Sequence, residues 1–322
     1  MISTSPYPDN SYPSKRSGSE KDRLISDLIR RAEELGFIGC GFSRPERLSH
    51  FERFTAWLSK GNHAGMRWME KNTALRENPY KLLPSCRCIV SLAYPYSSRK
   101  PATADGFFAS RYSEPTLEDY HQRLKRRCNE LVRMIECVHR TAVNRVFVDS
   151  APVLERSIAF SSGIGFIGKN TMLVIPGHGS YFYLAEIFST APLEVPLVTQ
   201  IANQCGSCSR CLEACPTGAI QEGSSMNASK CLSYWTIESQ ETEGIPGKIM
   251  DRCFFGCDRC QEACPYNGDK TTWEVSLPST DEFLCMQEGV FKKKFGRTTF
   301  SRAGIEKLKS CIRAVRGISS ET

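Results

Sequence analysis

Apolar residues recur at helical spacing in two long segments of the chain. In the first, residues 24–35, they follow a Ser19 cap, and Gly36 ends the pattern. The second spans residues 117–139. Shorter helices are predicted at residues 46–60, from Gly65 onward, and at residues 152–162, which Ser150-Ala151-Pro152 opens.

Short apolar runs between these segments predict strands. They are residues 37–42, 88–93, 145–149, 171–175 and 181–188. The last two runs flank the turn Pro176-Gly177-His178-Gly179, which predicts a hairpin. Residues 191–204, rich in Pro and Val, lead into a cysteine-rich segment. The order predicts an α+β protein, with an N-terminal α/β domain followed by a small cysteine-rich domain.

The chain has 322 residues and 16 cysteines, enough length for two domains with their own cores. Residues 1–18 are rich in Ser, Pro and Tyr and predict a disordered leader. No apolar stretch approaches the roughly 20 residues of a membrane span. Without a signal peptide, the cysteines indicate a reducing cytosol rather than a disulfide framework. We therefore expect a cytoplasmic protein.

The formal net charge is +7, which favours a polyanionic partner. Basic residues concentrate at 123–127 and in the tail, residues 292–316. The tail has two readings. It is either a solvated helix face, or a nucleic-acid surface on which Phe291, Phe295 and Phe300 stack against unpaired bases.

Two cysteine runs carry the clearest chemistry. The first is C-x2-C-x2-C-x3-C-P, and the second is C-x2-C-x3-C-P. Their cysteines are Cys205, Cys208, Cys211 and Cys215, and then Cys257, Cys260 and Cys264. The spacings are those of ferredoxins that hold two [4Fe–4S] clusters. A structural zinc is the alternative, because paired C-x2-C motifs also make four-cysteine zinc sites.

Two cubanes need eight thiolates, and the runs supply seven. Cys231 lies between them and is our eighth ligand, with Cys253 as its competitor. The last cysteine of each run crosses to the other cluster in such proteins. The predicted sets are Cys205, Cys208, Cys211 and Cys264, and Cys215, Cys231, Cys257 and Cys260. The other cysteines are expected to be small buried hydrophobes.

Residues 163–168 match the G-x-G-x-x-G dinucleotide fingerprint. The fingerprint binds pyrophosphate only when it follows a strand and opens a helix. Here it follows a predicted helix and opens a predicted strand, so we do not expect NAD. The glycines still indicate a close approach of the backbone to another surface.

Asp149 ends a predicted strand immediately before a helix start. Folds of the α/β class often place ligand-contacting groups there. The alternative is that Asp149 only caps the following helix.

Several longer motifs belong together. They are VDSAPVLER at 148–156, GFIGKNT at 165–171, GSYF at 179–182, CPTGAI at 215–220, KCLSYWTIE at 230–238 and FGCDRCQE at 255–262. Through them the chain resembles epoxyqueuosine reductase, a cobalamin- and iron–sulfur-dependent enzyme of queuosine biosynthesis, from about Glu20 to about Gly317.

The resemblance implies reduction of epoxyqueuosine to queuosine at the wobble position of tRNA. The proton-donating Asp of the family falls on Asp149, and its cluster ligands fall on the eight cysteines assigned above. The residues expected to line a cobalamin pocket are Tyr112, Asp149, Gly165, Lys169, Asn170, Thr171 and Ser233. The expected partners are tRNA with a GUN anticodon and an external low-potential electron donor, and the chain is expected to be a monomer that does not enter a membrane.

With this resemblance, the chain divides into four predicted parts. They are a leader (1–18), a cobalamin-binding catalytic domain (19–195), a ferredoxin-like domain with two [4Fe–4S] clusters (196–275) and a basic helical tail (276–322).

Two features depart from the family pattern. Many members continue into a helical-repeat extension, so the resemblance is to a short form. The family's R-Y-x-x-G-x-D-Y-H appears at 111–121 as RYSEPTLEDYH, two residues longer and with Pro for Gly, which weakens the assignment of Tyr112.

The expected chemistry is reductive opening of the epoxide, with a proton delivered by Asp149 held neutral by burial. Three other classes compete with this function: a corrinoid-dependent reductive dehalogenase, an iron–sulfur electron-transfer protein, and a non-catalytic RNA-binding iron–sulfur module.

Overall fold

The computed structural model describes residues 20–241, 244, 247–268 and 272–317. The predicted leader and the Ser19 cap lie outside the described residues. Within the described ranges, no helix combines the length and the apolar character that a membrane-spanning segment needs.

The helices are α1 (Glu20–Glu34), α2 (Phe51–Ser59), α3 (Thr73–Glu77), α4 (Pro79–Leu82), α5 (Tyr120–Val138), α6 (Glu155–Ser161), α7 (Arg210–Glu213), α8 (Gly247–Met250), α9 (Arg259–Glu262), α10 (Thr280–Cys285), α11 (Glu288–Phe295) and α12 (Gly304–Arg316). The strands are β1 (Gly39–Ser43), β2 (Cys88–Pro95), β3 (Lys100–Thr103), β4 (Phe108–Ala109), β5 (Asn144–Phe147), β6 (Phe166–Ile167), β7 (Leu173–Val174), β8 (Phe182–Ser189), β9 (Ile220–Gln221), β10 (Ser225–Met226), β11 (Cys253–Phe255) and β12 (Trp273–Leu277). The mixture agrees with the predicted α+β class.

An antiparallel sheet of order β1-β2-β8-β5 forms the centre of the N-terminal part. Helices α1 and α5 cover one face, and α6 covers the other. Successive side chains of β2 point to opposite faces, so Val90 packs in the core with α1 and α5 while Ile89 packs in the core that includes α6. Burial of both faces explains the continuous apolar run of this strand.

The predicted hairpin of residues 171–175 and 181–188 is wrong. Strand β8 pairs with β2 on one edge and β5 on the other, so it has no free edge for the preceding segment. Strand β7 therefore pairs back with β6, and only Ile175 and Gly179 bridge the predicted turn.

Three predicted helices begin later in the structure than their apolar pattern suggests. Helix α5 begins after Asp119, because the Asp119 carboxylate accepts a hydrogen bond from the His121 backbone N–H and caps the helix. Helix α6 begins at Glu155, because Asp149 has φ 53° and the chain turns through a loop before the helix. Helix α2 begins at Phe51 rather than at residue 46.

A second sheet crosses the predicted domain boundaries. Its order is β11-β4-β3-β12, so strands from residues 100–109 pair in parallel with strands from residues 253–277. The predicted boundaries at 195 and 275 therefore divide a sequence whose strands share one sheet. The division itself stays a prediction.

The C-terminal tail packs into the core of this second sheet. Phe291, Phe295 and Phe300 are 3%, 2% and 0% exposed, and they pack with Phe254 and Phe283. Their burial contradicts the expectation that these rings stack against unpaired bases. Lys292, Lys293 and Lys294 on α11 stay exposed beside the buried rings, whereas Lys307 on α12 is itself buried.

We expect Phe300→Ala to lower the free energy of unfolding by about 3–5 kcal/mol, because it empties the centre of this aromatic cluster. The matched control is Val290→Ala on α11, where the side chain is 54% exposed and the change should stay within about 0.5 kcal/mol. Anaerobic guanidinium denaturation of cluster-loaded protein measures both. Equal effects of the two variants would show that the tail is not part of the core.

Candidate active site

A cavity of about 1010 Å³ opens between the two sheets' loops and the cysteine segments. It lies at the upper end of the roughly 300–1,000 Å³ of ordinary small-molecule sites, so it has room for a bulky ligand. Asp149, Tyr120 and His121 line it together with thiols of the cysteine segments. The ionisable side chains and the thiols that could hold a redox-active metal cluster therefore line the same cavity.

Asp149 lies in the loop between β5 and α6. Its backbone is in the left-handed region, which Asp tolerates better than most residues but which still needs support from its surroundings. The backbone N–H of Asp149 donates a hydrogen bond of 2.5 Å to Glu155 Oε1 at the start of α6. This contact holds the loop and leaves the Asp149 side chain 56% exposed towards the cavity.

Two side chains at the start of α5 meet the Asp149 carboxylate. Tyr120 Oη donates a hydrogen bond of 2.7 Å to Asp149 Oδ2, and His121 Nε2 lies 3.4 Å from the same oxygen. Desolvation by the cavity walls raises the pKa of Asp149. The hydrogen bonds from His121 and Tyr120 and the positive charges of His121 and Arg302 outweigh it and lower the pKa below its ordinary value.

The direction of this shift corrects the expectation that burial keeps Asp149 neutral. Its partners stabilise the carboxylate, so the resting proton of this cluster lies elsewhere. Sequence inspection missed this because both partners come from a segment about one long helix earlier in the chain.

His121 is one place where a proton is held. Its Nδ1 lies 2.5 Å from Asp119 Oδ1. Desolvation lowers the pKa of His121, but the hydrogen bonds and charges of Asp119 and Asp149 prevail and raise it to about 9. At neutral pH the ring is an imidazolium between two carboxylates.

Glu155 and Glu186 are the other side chains of this cluster that favour holding a proton. Burial and the charge of Asp149 raise the pKa of Glu155 to about 8. Burial and the charge of Glu155 raise the pKa of Glu186 well above its ordinary value. Ser91 Oγ donates to Glu186 Oε1 at 3.4 Å. Both shifts favour the protonated form of these carboxyls behind the Asp149 loop, which limits the negative charge next to Asp149.

The predicted cofactor-binding residues divide between two places. Tyr112, Asp149, Asn170, Thr171 and Ser233 line the large cavity.

Gly165 and Lys169 do not line it. Gly165 allows β6 to approach β7, because a Cβ there would lie 2.4 Å from the carbonyl oxygen of Val174. Lys169 Nζ donates hydrogen bonds of 2.8 Å to the carbonyls of Gly206 and Cys208. Part of the glycine-rich turn thus supports the first cysteine loop instead of facing the large cavity.

The cysteines gather in the two predicted sets. Cys205, Cys208, Cys211 and Cys264 line a second cavity of about 320 Å³, and Cys215, Cys231, Cys257 and Cys260 line the large one. Burial and the charges of Cys257, Cys231 and Cys215 together raise the pKa of Cys260 well above its ordinary value. Because neighbouring thiolates repel one another, these four cysteines can all ionise only around a bound cation, such as the iron of a cluster.

The number of these thiols bears on the zinc alternative. Zinc requires its sulfur ligands within about 2.3 Å of one ion. Each cavity is lined by four thiols, the number that one four-cysteine zinc site or one [4Fe–4S] cluster needs.

Cys253 is placed differently from the eight. Its Sγ donates to the carbonyls of Phe255 and Gly256 at 3.5 Å, inside β11, and it lines neither cavity. Cys231 lies beside Cys215, Cys257 and Cys260 in the wall of the large cavity.

A buried ion network anchors the second cysteine run. Arg111 donates from its backbone N–H and from Nη1 to Asp258 Oδ2, at 2.8 and 3.2 Å. It also contacts Glu262 Oε1 at 2.5 Å, and Lys100 Nζ reaches the same oxygen at 2.7 Å. Sequence reasoning missed this role, since nothing local in the sequence pairs Arg111 with the cysteine run.

Two family models match the chain. The model described as "Epoxyqueuosine reductase QueG, DUF1730" matches residues 76–150, and the "4Fe-4S double cluster binding domain" matches residues 204–267. The first includes Asp149, and the second includes both cysteine runs and Cys231.

Curated relatives match over most of their length. The epoxyqueuosine reductase of Cyclobacterium marinum is 33% identical over 87% of this chain and 91% of its own. That of Pseudomonas aeruginosa is 34% identical over 98% of this chain and 94% of its own.

Solved structures agree with the curated relatives. An epoxyqueuosine reductase with a tRNA-Tyr epoxyqueuosine-modified tRNA stem loop has a TM-score of 0.79 at 29% identity, covering 93% of this chain and 82% of its own. The enzyme from Bacillus subtilis, described with its catalytic aspartate loop swung out of the active site, has a TM-score of 0.77 at 28% identity over the same shares.

The geometry predicts which cysteine completes the second set. Cys231→Ser should remove one cluster's worth of iron and its absorbance, because it takes a thiol from the wall of the large cavity. Cys253→Ser is the matched control and should keep the full iron content, because its thiol only contacts backbone carbonyls. Iron and sulfide per chain, measured anaerobically after reconstitution, decide between them. The reverse pattern would transfer the role to Cys253.

Proposed function

The chain belongs to the epoxyqueuosine reductase family, and we propose that it reduces the epoxide of epoxyqueuosine to queuosine in tRNA, in the cavity that Asp149 lines. It is thus an oxidoreductase. The observation that carries the proposal is that Asp149 and the thiols of Cys215, Cys231, Cys257 and Cys260 line the same cavity. An acid for the oxygen and ligands for an electron carrier are then within one site.

The residues present fit two [4Fe–4S] clusters. The proposed ligands are Cys205, Cys208, Cys211 and Cys264 for one, and Cys215, Cys231, Cys257 and Cys260 for the other. Such clusters supply single electrons at potentials set by their charge, hydrogen bonds and exposure. The electrons come from an external low-potential donor.

The large cavity also fits cobalamin. Its volume is at the upper end of ordinary ligand sites, and Tyr112, Asn170, Thr171 and Ser233 line it beside the second cysteine set. Cobalamin bound there would supply a low-valent cobalt for reductive opening of the epoxide. The protein's own part is to seat the corrin, hold the epoxide near Asp149 and provide protons.

Asp149 is the proposed proton donor. When the epoxide ring opens, negative charge develops on oxygen, and a nearby acid lowers the barrier by neutralising it. The loop that Glu155 holds presents the Asp149 side chain to the cavity, and Tyr120 fixes its orientation.

The tRNA enters where the cavity is both aromatic and cationic. Trp68, Lys71 and Arg302 line that part, and the Arg302 guanidinium lies 6.0 Å from the centroid of the Trp68 ring. Arg302 is held there by Glu238, at 2.7 and 2.9 Å. An aromatic face beside cations suits an unstacked nucleotide with its phosphates. The proposed substrate is tRNA with a GUN anticodon, met by a monomer in the cytoplasm.

An anaerobic assay tests the activity. Cluster-loaded protein, cobalamin, a low-potential reductant and tRNA bearing epoxyqueuosine are combined, and nucleosides are analysed by mass spectrometry. We expect loss of one oxygen mass only when cobalamin is present. No conversion, with clusters and cobalamin verified in the protein, would contradict the proposed function.

We expect Asp149→Ala to lower turnover by at least about 10²-fold, because it removes the proton donor, while iron content stays unchanged. The matched control is Asp27→Ala on α1, whose exposed pairing with Arg30 contributes little to stability and lies outside the cavity. Wild-type turnover in Asp149→Ala would remove Asp149 from the mechanism.

A further inference from the structure

Reduction of an epoxide to an alkene consumes two electrons and two protons, because the oxygen leaves as water. The partners of Asp149 stabilise its carboxylate form, so both protons must reach it from another group. The inference that follows rests on the proposed function and concerns the source of these protons.

The carboxylates on either side of His121 fix its protonation by geometry. A carboxylate only accepts hydrogen bonds, so an imidazole nitrogen facing one must carry hydrogen. His121 Nδ1 faces Asp119 Oδ1 at 2.5 Å, and His121 Nε2 faces Asp149 Oδ2 at 3.4 Å. With both carboxylates ionised, both ring nitrogens carry hydrogen, and Nε2 is the nitrogen that lies next to Asp149.

Neighbouring rings hold His121 in this position. The Tyr120 ring stacks on the His121 ring with centroids 4.2 Å apart. The Tyr120 ring also stacks on the Tyr183 ring, with centroids 4.1 Å apart. Asp119 also caps α5, so the relay is attached to a helix end rather than to a loose loop. The ring therefore does not need to move far to serve Asp149.

The charged groups around His121 come from three elements. Asp119 and Tyr120 belong to the start of α5, Asp149 to the loop after β5, and Glu155 to α6. Arg302 is the nearby cation and acts on Asp149.

Tyr120 is the other hydroxyl within reach of Asp149. Burial and the charge of Asp149 raise the pKa of Tyr120 far above its ordinary value, so Tyr120 donates a hydrogen bond and keeps its proton. Glu155 contacts only the backbone N–H of Asp149. Among the described residues that contact the Asp149 carboxylate, this leaves His121 as the group that can release a proton to it.

We propose that His121 is the proton source of the reaction, passing the hydrogen on Nε2 to the Asp149 carboxylate, which delivers it to the substrate oxygen. In the first transfer, this proton reaches the oxygen as the first C–O bond breaks. Solvent then restores the proton of His121, with Asp119 keeping the ring oriented. A second transfer by the same route releases the oxygen as water when the second C–O bond breaks. The two electrons come from the low-potential donor.

The test compares His121→Gln with wild type across pH. Gln keeps a hydrogen-bond donor at this position but cannot release a proton. Wild-type kcat should fall as pH rises through about 9, where the ring loses its proton. In His121→Gln, kcat at neutral pH should fall by about 10²-fold, the descending limb near pH 9 should vanish, and KM should change little. His178→Gln, an exposed position outside the cavity, is the matched control and should reproduce the wild-type profile.

A second measurement does not depend on turnover. Histidine-selective NMR titration of the cluster-loaded protein, assigned by the signal missing from His121→Gln, should give His121 a pKa near 9. A value below about 7, or a His121→Gln variant with wild-type kcat and pH profile, would overturn the proposal. If wild type itself fails to convert the substrate, the proposed function fails, and the titration still reports whether His121 is charged.

Discussion

A guanidinium with no exposed surface must be neutralised where it lies, and Arg111 imposes this constraint on the molecule. Its partners, Asp258 and Glu262, belong to the second cysteine run, whereas Arg111 follows β4 in the N-terminal part. The Arg111 backbone N–H adds a further bond to Asp258. Since Asp258 lies between two of the proposed cluster ligands, the same ion network that satisfies Arg111 also fixes where those thiols meet the cavity.

The sequence predicts the parts of the fold that depend on local pattern. Helices α1 and α5 and strands β2 and β8 follow from apolar spacing, because the helices bury their apolar faces against the first sheet and the strands form its centre. The predicted hairpin was wrong because pairing depends on which edges are already taken, and β8 uses both. The second sheet was not predicted, since β3 and β4 are short and the two strands that complete their sheet come from residues 253–277. The predicted role of the tail's Phe residues in base stacking was wrong for a related reason. These side chains pack in the core, although basic residues lie next to them in the sequence.

The candidate site divides in the same way. The ferredoxin-type spacing, together with the position of Cys231 between the runs, grouped the eight cysteines into two sets, and each set lines one cavity. Their role as cluster ligands stays a prediction. The position of Asp149 was predicted as well, but not its electrostatic state. That state depends on Tyr120 and His121, 29 and 28 residues earlier, and on Arg302 in the tail. A carboxylate's pKa follows from neighbours in space, which residue order does not reveal.

The shared sheet has a consequence for how the chain is made. Arg111 meets Asp258 across 147 residues, and Thr280 meets Asp105 across 175. Strands β3 and β4 can pair with each other early. A ribosome must release most of the polypeptide before β12 and β11 can cover their outer edges, and until then these edges stay open to other chains. Metal loading would come after this closure, since the thiols of the second set converge only once the late strands are in place. A shortage of iron would therefore leave a closed chain whose cysteines hold no metal.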